Sequence, residues 1–367
     1  MSEPIRVLHV FGGLALGGAE SRVMDLYRSI DREKVQFDFL VHSASEQHFD
    51  KEIYSLGGRI YRVPKFKVYN WFGYKRALKQ FFSEHKEFRA VHGHMTSTAA
   101  IYLPIAKKAG VPITIAHSRS AGVQSGLKGF VTKMLRGSLK YKTDYCLACS
   151  KEAGEAVYGK KWSDAGKVEV IPNAIAAEKY IYNESVRKEM RETLDVSDKF
   201  VIGHVGSFRE PKNHTFLIQI FAKIYEKRKD AVLLLLGDGV LRPQIEEQVA
   251  LAGLSEAVRF MGNQSVAPYY QAMDVLVFPS LYEGLPGTVI EAQTAGLFCV
   301  VSDRVTREVE VTELAQFLSL DLSADEWADF VLIHADYERH SRYEEVAAAG
   351  FDIKTQEKRY FEIYEVT

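Results

Sequence analysis

The chain has 367 residues, 26% charged and 47% from the AVILMFWYC set, with a net charge of −1, which fits two globular domains with sizeable cores. No run approaches about 18 uninterrupted apolar residues, which excludes a membrane-spanning helix. The apolar run Val7–Phe11, preceded by acidic Glu3, is too short for a secretory signal core, so a cytoplasmic location is expected.

Short apolar, β-rich runs alternate with helical stretches. Ile5–Phe11 reads as a strand, followed by a glycine-rich turn and a helix from about Ala19 to Ile30. Further strands are expected at Phe37–His42, Arg59–Val63, Ala90–Gly93, Pro112–His117, Tyr145–Ala148 and Val168–Pro172. A second series begins at Phe200 (FVIGHVG) and continues with AVLLLLG from Ala231, VRFMG from Val258, DVLVFPS from Asp274 and FCVVSD from Phe298. Helical patterns such as His214–Arg228 and Gln244–Leu251 lie between them. This is the spacing of β-α-β units, and each series can build its own doubly wound sheet. The boundary falls near Ile171-Pro172-Asn173, where proline ends a strand and a polar helical segment, Asn183–Asp195, leads on. The expected fold is therefore α/β, two doubly wound Rossmann-like domains facing across a cleft at the carboxyl ends of their strands, with residues 1–172 in one domain and 173–351 in the other.

Cys146, Cys149 and Cys299 are the three cysteines. The Cys146-x-x-Cys149 pair reads as part of a buried strand whose thiols point to opposite faces, and no second pair completes a zinc site. Charge is unevenly placed. Residues 1–180 carry 28 Lys+Arg and 17 Asp+Glu, a net of +11; residues 181–367 carry 19 and 31, a net of −12. Between Phe88 and Thr143 there are nine basic residues and no acidic one. A one-sided positive field points to an anionic partner for the N-terminal half.

Three loops carry the chemistry. Gly12-Gly13-Leu14-Ala15-Leu16-Gly17-Gly18-Ala19-Glu20 follows the first strand and opens a helix. Its glycines let the backbone approach a phosphate at a helix N-terminus, or they simply make a tight turn. It matches neither the dinucleotide G-x-G-x-x-G nor a nucleotide-triphosphate loop. The second loop, Gly206-Ser207-Phe208-Arg209-Glu210-Pro211-Lys212-Asn213, brings Arg209 and Lys212 to the mouth of the second sheet, where two cations suit a leaving diphosphate. The third is Ser280-Leu-Tyr-Glu283-Gly284-Leu285-Pro286-Gly287-Thr288-Val-Ile-Glu291-Ala292. Here the amides of Leu285 to Thr288 can hold a phosphate at a helix start, while Glu283 and Glu291, the latter on the first turn, bind hydroxyls on either side of it. The rival reading makes Thr288-Val-Ile-Glu291 a capping box and Glu291 purely structural.

The pattern Glu283-x7-Glu291 after Phe278-Pro279-Ser280 resembles glycosyltransferase family 4, which has the two-domain GT-B fold. Gly17-Gly18-Ala19-Glu20, Ile171-Pro172-Asn173, Leu236-Gly237-Asp238-Gly239 and Phe260-Met261-Gly262 fit it as well. The likeness runs from residue 5 to about 315, and its nearest branch resembles bacterial exopolysaccharide and capsule enzymes. The resemblance implies a retaining hexosyltransferase that uses a nucleoside diphosphate sugar, with the branch pointing to UDP. Glu283 would contact donor-sugar hydroxyls and Glu291 the ribose. Gly17 and Gly18 would approach the diphosphate, and Lys212 would neutralise it. Met261 and Gly262 would line the base pocket through backbone groups, and His117 would lie beside the donor sugar. The final helix, about 352–367, would cross back onto the N-terminal domain. One position departs from the pattern: Ser207 stands in the donor loop where the family usually has Arg, and Arg209 is the expected replacement.

With no D-x-D, no metal or other cofactor is expected; front-face attack assisted by the leaving diphosphate is, with domain closure over the donor. The basic N-terminal half would receive a glycan or polyprenyl diphosphate-linked acceptor. Lys128–Lys142 places Phe130, Val131, Met134, Leu135 and Leu139 on helical spacing among five basic residues. It reads either as a segment lying on an anionic membrane, the inner face of the plasma membrane, or as an ordinary amphipathic helix. Alternatives are a non-catalytic or impaired sugar-nucleotide binding protein, a phosphorylase or epimerase, and a nicotinamide dehydrogenase. Nucleic acid is not an expected partner, because no recognition motif accompanies the charge.

Overall fold

The computed structural model describes residues 3–15, 18–119, 126–283 and 285–365. It divides into two compact units, Met1–Ala174 with Ile353–Thr367, and Ile175–Asp352.

The first unit is built on β1 (Ile5–Phe11), β2 (Val35–Val41), β3 (Ile60–Arg62), β4 (Phe88–Gly93), β5 (Ile113–Ser118), β6 (Tyr145–Ala148) and β7 (Glu169–Val170). They form one parallel sheet in the order β3-β2-β1-β4-β5-β6-β7. Its helices are α1 (Gly18–Ser29), α2 (Asp50–Ser55), α3 (Trp71–Glu84), α4 (Thr96–Lys108), α5 (Gly126–Leu139), α6 (Lys151–Tyr158) and α7 (Lys160–Asp164). A parallel sheet is covered on both faces, so its central strands are largely buried. All seven residues of β2 are buried, including Asp38. That carboxylate is matched by Arg6, whose Nε lies 2.7 Å from Asp38 Oδ2, and by the Arg59 amide at 2.7 Å. Cys146 and Cys149 are free and buried, and burial pushes the Cys146 thiol up to about 11, which suits packing rather than thiolate chemistry.

The second unit holds α8 (Glu184–Thr193), β8 (Phe200–Val205), α9 (His214–Lys227), β9 (Ala231–Leu236), α10 (Arg242–Leu251), β10 (Val258–Gly262), α11 (Val266–Ala272), β11 (Val275–Phe278), α12 (Gly287–Thr294), β12 (Phe298–Ser302), β13 (Ala315–Leu318), α13 (Ala324–Ile333) and α14 (Tyr343–Ala348). Its parallel sheet runs β10-β9-β8-β11-β12-β13. The sixth strand, β13, is absent from the sequence reading. Ala315-Gln-Phe-Leu318 is short and only partly buried, so it lacks the apolar run that marks its neighbours. The last helix, α15 (Ile353–Tyr364), belongs to the first unit and packs on α1.

Both sheets reverse their strand order once, between β1 and β4 and between β8 and β11. Loops leaving the carboxyl ends of two such strands part to opposite sides, and the crevice between them is where doubly wound sheets bind ligands.

Candidate active site

At the switch point of the second sheet, the loop after β8 and the loop after β11 are tied together. The Leu281 amide donates to the Pro211 carbonyl at 2.8 Å. Asn213, in a left-handed conformation, turns its Nδ2 to the Pro279 carbonyl at 3.0 Å. Lys212 Nζ then lies 2.7 Å from Glu283 Oε1 and 4.6 Å from the centre of the Phe278 ring. Both charges are partly buried, and the lysine stem runs over Gly206, where an added Cβ would stand 3.0 Å from Lys212 Cδ. The base of the loop is pinned from β9. Gly237 has φ +128°, and a Cβ there would lie 2.2 Å from the Gly206 carbonyl oxygen, so only glycine permits the approach. Ser207 and Arg209 are both exposed on this loop, and the Arg209 guanidinium has no ion pair among the described residues.

Helix α12 starts at Gly287 with Pro286 as its N-cap residue and no side-chain cap. The capping box of the rival reading therefore does not form. Glu291 falls on the second turn, not the first. Pro286 has no N–H, so of the amides expected to face a phosphate, those of Gly287 and Thr288 remain as first-turn donors. Glu291 is buried; Tyr270 Oη donates to its Oε2 at 3.1 Å. Its Oε1 comes within 3.7 Å of the Cβ position of Gly287, which sets the carboxylate beside the helix start. Leu285 packs against the core beneath. Gly262 offers its carbonyl to the Gly237 amide at 2.8 Å, and the Met261 carbonyl accepts from Gln264 Nε2 at 3.3 Å. The expected lining of the base pocket thus has its backbone acceptors engaged, Gly262 by the loop after β9 and Met261 within its own turn.

Two further histidines stand behind this loop. His204 Nδ1 bonds the Val277 carbonyl at 2.9 Å, and Phe208 stacks on His214 at 4.1 Å. Burial drives His204 far below the usual range and His214 down to about 4, so both are neutral beside Lys212.

The first sheet has its own concentration of chemistry at its switch point. Gly18 opens α1 with free space where a Cβ would be, which permits close backbone approach; Gly17 lies outside the described residues. Beneath, four histidines from β1, the end of β4 and β5 form two hydrogen-bonded pairs. His9 Nδ1 is 3.0 Å from His94 Nε2, and His92 Nε2 is 3.0 Å from His117 Nδ1. The pairs stack, with the His92 and His94 rings 4.4 Å apart. His117, expected beside the donor sugar, is thus at the end of β5 but fully buried. His9, His92 and His94 escape sequence reasoning. A histidine in an apolar run reads as an isolated core residue, and only the pairing of β1 with β4, which sets His9 opposite His92, brings them together. Ring nitrogens of His9, His92 and His94 lie within 4.8 Å of one another. They do not make a good metal cage: two are already bonded to each other, and the charge acting on them is the Arg119 guanidinium, whose Nε is 3.3 Å from His94 Nδ1.

Residues 16–179 match the family model of Glycosyltransferase Family 4, and residues 199–333 that of Glycosyl transferases group 1. The putative glycosyltransferase EpsF of Bacillus subtilis is 34% identical over 99% of this chain and 97% of its own length. An Escherichia coli UDP-Gal:alpha-D-GlcNAc-diphosphoundecaprenol alpha-1,3-galactosyltransferase is 28% identical over 59% of this chain and 58% of its own. Among solved structures, Anabaena Alr3699/HepE in complex with UDP superposes with a TM-score of 0.77 at 18% identity, covering 99% of this chain and all of that one.

Proposed function

We propose, for a chain that belongs to glycosyltransferase family 4, that it moves a sugar from a UDP-sugar, with retention of anomeric configuration, onto a polyprenyl diphosphate-linked glycan in exopolysaccharide or capsule assembly. The observation that carries the donor half is the Lys212–Glu283 pair at the switch point of the second sheet, with Glu291 set beside the start of α12.

The donor diphosphate lies against Lys212 and the Gly287 and Thr288 amides, its ribose at Glu291 and its sugar at Glu283. The acceptor hydroxyl attacks C1 from the face the diphosphate leaves. The C1–O bond to UDP breaks as the new glycosidic bond forms, and the hydroxyl proton passes to the departing phosphate oxygen. Charge grows on that oxygen in the transition state, where a fixed cation and helix amides stabilise it most. No metal is assigned a part; Lys212 supplies the charge a metal would.

The acceptor half rests on the N-terminal unit. On α5 the expected apolar stripe divides: Leu135 and Leu139 enter the core, while Phe130 and Met134 stand 68% and 62% exposed. Phe130 borders a groove of about 610 Å³ lined by Lys133, Arg136, Lys140 and Glu155. Val68, Tyr69 and Phe72, before and at the start of α3, are exposed as well, close to Lys65 and Lys67 in the sequence. Exposed apolar side chains among cations suit an anionic bilayer in which such an acceptor would be anchored. Among the described residues no helix is long and apolar enough to cross a membrane, so the association is peripheral in this reading.

The test is a thermal-shift screen of nucleotide sugars in EDTA, comparing wild type with Glu291→Ala. A ligand that binds only the native state adds about 2.7 kcal/mol at a hundred times its dissociation constant. A shift with one UDP-sugar, lost in the variant, supports the reading; no shift with any nucleotide sugar overturns it.

A further inference from the structure

Phe278 closes β11 and is fully buried, and its ring faces the ammonium of Lys212, with Nζ 4.6 Å from the ring centre. Among the described residues the carboxylate paired with Lys212 is that of Glu283, at 2.7 Å. Gly206 leaves room for the lysine stem: a Cβ there would stand 3.0 Å from Lys212 Cδ and 3.1 Å from Cε, tighter than ordinary contact. The ring is itself held. His204, on the neighbouring strand β8, stacks with it at 5.7 Å and 22°, and His204 Nδ1 donates to the Val277 carbonyl at 2.9 Å. One residue beyond the ring, the Pro279 carbonyl accepts from Asn213 Nδ2 at 3.0 Å, which ties the lysine's loop to the end of β11.

The two partners of the lysine respond differently to a bound donor. A carboxylate holds an ammonium through charge and hydrogen bonds, and sugar hydroxyls and phosphate oxygens compete for both. With Glu283 shared between Lys212 and a donor sugar, its hold on the lysine loosens as the site fills. An aromatic face attracts a cation through its quadrupole. It has no lone pair to give to a hydroxyl, and no net charge to cancel the ammonium's. Phe278 also belongs to a strand rather than a loop, so it stays in place whether the site is empty or loaded. The lysine side chain is 16% exposed, and such a contact is stronger there than in open water.

We propose that Phe278 is a positioning residue for the transfer reaction. Its ring face holds the Lys212 ammonium where the terminal phosphate of a nucleoside diphosphate arrives, and keeps it there when Glu283 turns to the sugar. This rests on the reading of Lys212 as the diphosphate cation. It gives Phe278 a task beyond packing: a core residue at the end of β11 sets the place of the charge without neutralising it.

The experiment places mono-, di- and trifluorinated phenylalanine at position 278 of the full-length protein and measures UDP and UMP binding by calorimetry in EDTA. Fluorine drains charge from the ring face while nearly keeping its shape. The dissociation constant for UDP should rise with each fluorine, reaching about 3- to 10-fold with three. UMP lacks the terminal phosphate and should be little affected. In Lys212→Ala the same series should be flat for UDP, since the ring then has no ammonium to hold. A flat UDP series in the lysine-bearing protein, while Lys212→Ala binds UDP weakly, overturns the role of Phe278 alone. So does a parallel loss of UMP and UDP, or a trend that persists in Lys212→Ala; either would make the ring a support for the site as a whole. No UDP binding by wild type, or wild-type UDP affinity in Lys212→Ala, overturns the underlying reading instead. Should the trifluorinated protein fail to fold, the mono- and difluorinated proteins decide the trend.

Discussion

Lys212 Nζ stands 2.7 Å from Glu283 Oε1, so the cation assigned to the diphosphate and the carboxylate assigned to the sugar form one charge pair. Each comes from a different loop of the same switch point, and each fixes the other. The pair orients the lysine through Glu283 Oε1, and in the proposed reading the second carboxylate oxygen serves a sugar hydroxyl. If the proposed donor site holds, Ser207 offers no charge there, and Lys212, already fixed by Glu283, is the preorganised cation of the loop.

Replacing Lys212 with Ala should lower kcat about 10²- to 10³-fold, the usual cost of losing one preorganised charge stabiliser. Stability should change by about 1 kcal/mol or less, since a partly exposed pair contributes little. Initial rates and melting curves of the same preparation separate the two. A Lys212→Ala enzyme with wild-type kcat would remove the lysine from the leaving-group site.

Tyr270 donates to Glu291 at 3.1 Å and to the Thr288 carbonyl at 3.3 Å, so it sets the carboxylate against α12. Tyr270→Phe should weaken UDP by about 0.5–1.5 kcal/mol, one hydrogen bond's worth. Because ribose is common to both, calorimetry should find the same factor for UDP and for a UDP-sugar. A loss seen only with the sugar attached would move Glu291 away from the ribose.

The central strands of both sheets are legible because parallel strands are buried on both faces and read as apolar runs; Ala231–Leu236 is an unbroken example. β13 is not, since an edge strand with Gln316 and partial burial carries a weaker signal. Glu283 and Lys212 are legible as site residues from spacing, but their pairing depends on β8 and β11 being neighbours, which is a property of topology. The capping box at Thr288 fails for a local reason. Pro286 takes the N-cap position, so α12 begins two residues earlier than a box at Thr288 requires. The split stripe of α5 was hidden for another reason: 3.6-residue spacing marks apolar positions without saying which of them face the sheet.

Vesicles offer a test of the exposed face. The protein should sediment with liposomes rich in acidic lipid at low salt and be released as salt rises, because the cations act within about 10 Å at 0.1 M. Phe130→Ser with Met134→Ser should weaken sedimentation while leaving UDP binding intact, since both side chains are on the surface of α5. Equal binding to neutral vesicles, or none to acidic ones, would count against a bilayer partner.

Acid should destabilise the fold earlier than its carboxylates alone would allow. His9, His92, His94, His117, His204 and His214 are buried and neutral, and burial is the first cause of each low pKa. His9 is pushed down to about 3 and His214 to about 4. Unfolded, each would titrate near 6.5. Below that pH the unfolded chain binds protons the folded chain refuses, so stability is complete above about 6.5 and is lost as pH falls toward the folded values. Each such group contributes a slope of up to about 1.4 kcal/mol per pH unit. All six lie at 0–8% exposure near a fixed cation or another histidine, which leaves protonation no local relief. Melting curves between pH 7.5 and 5.0 should therefore show a falling Tm already by pH 6, above the range where Asp and Glu take up protons. Replacing His214, which belongs to the second unit, should soften the slope for that unit without altering the first. A Tm constant down to pH 5 would mean that the histidines are solvated or partnered well enough to accept protons in the folded state, and the buried block at the first switch point would have to be reconsidered.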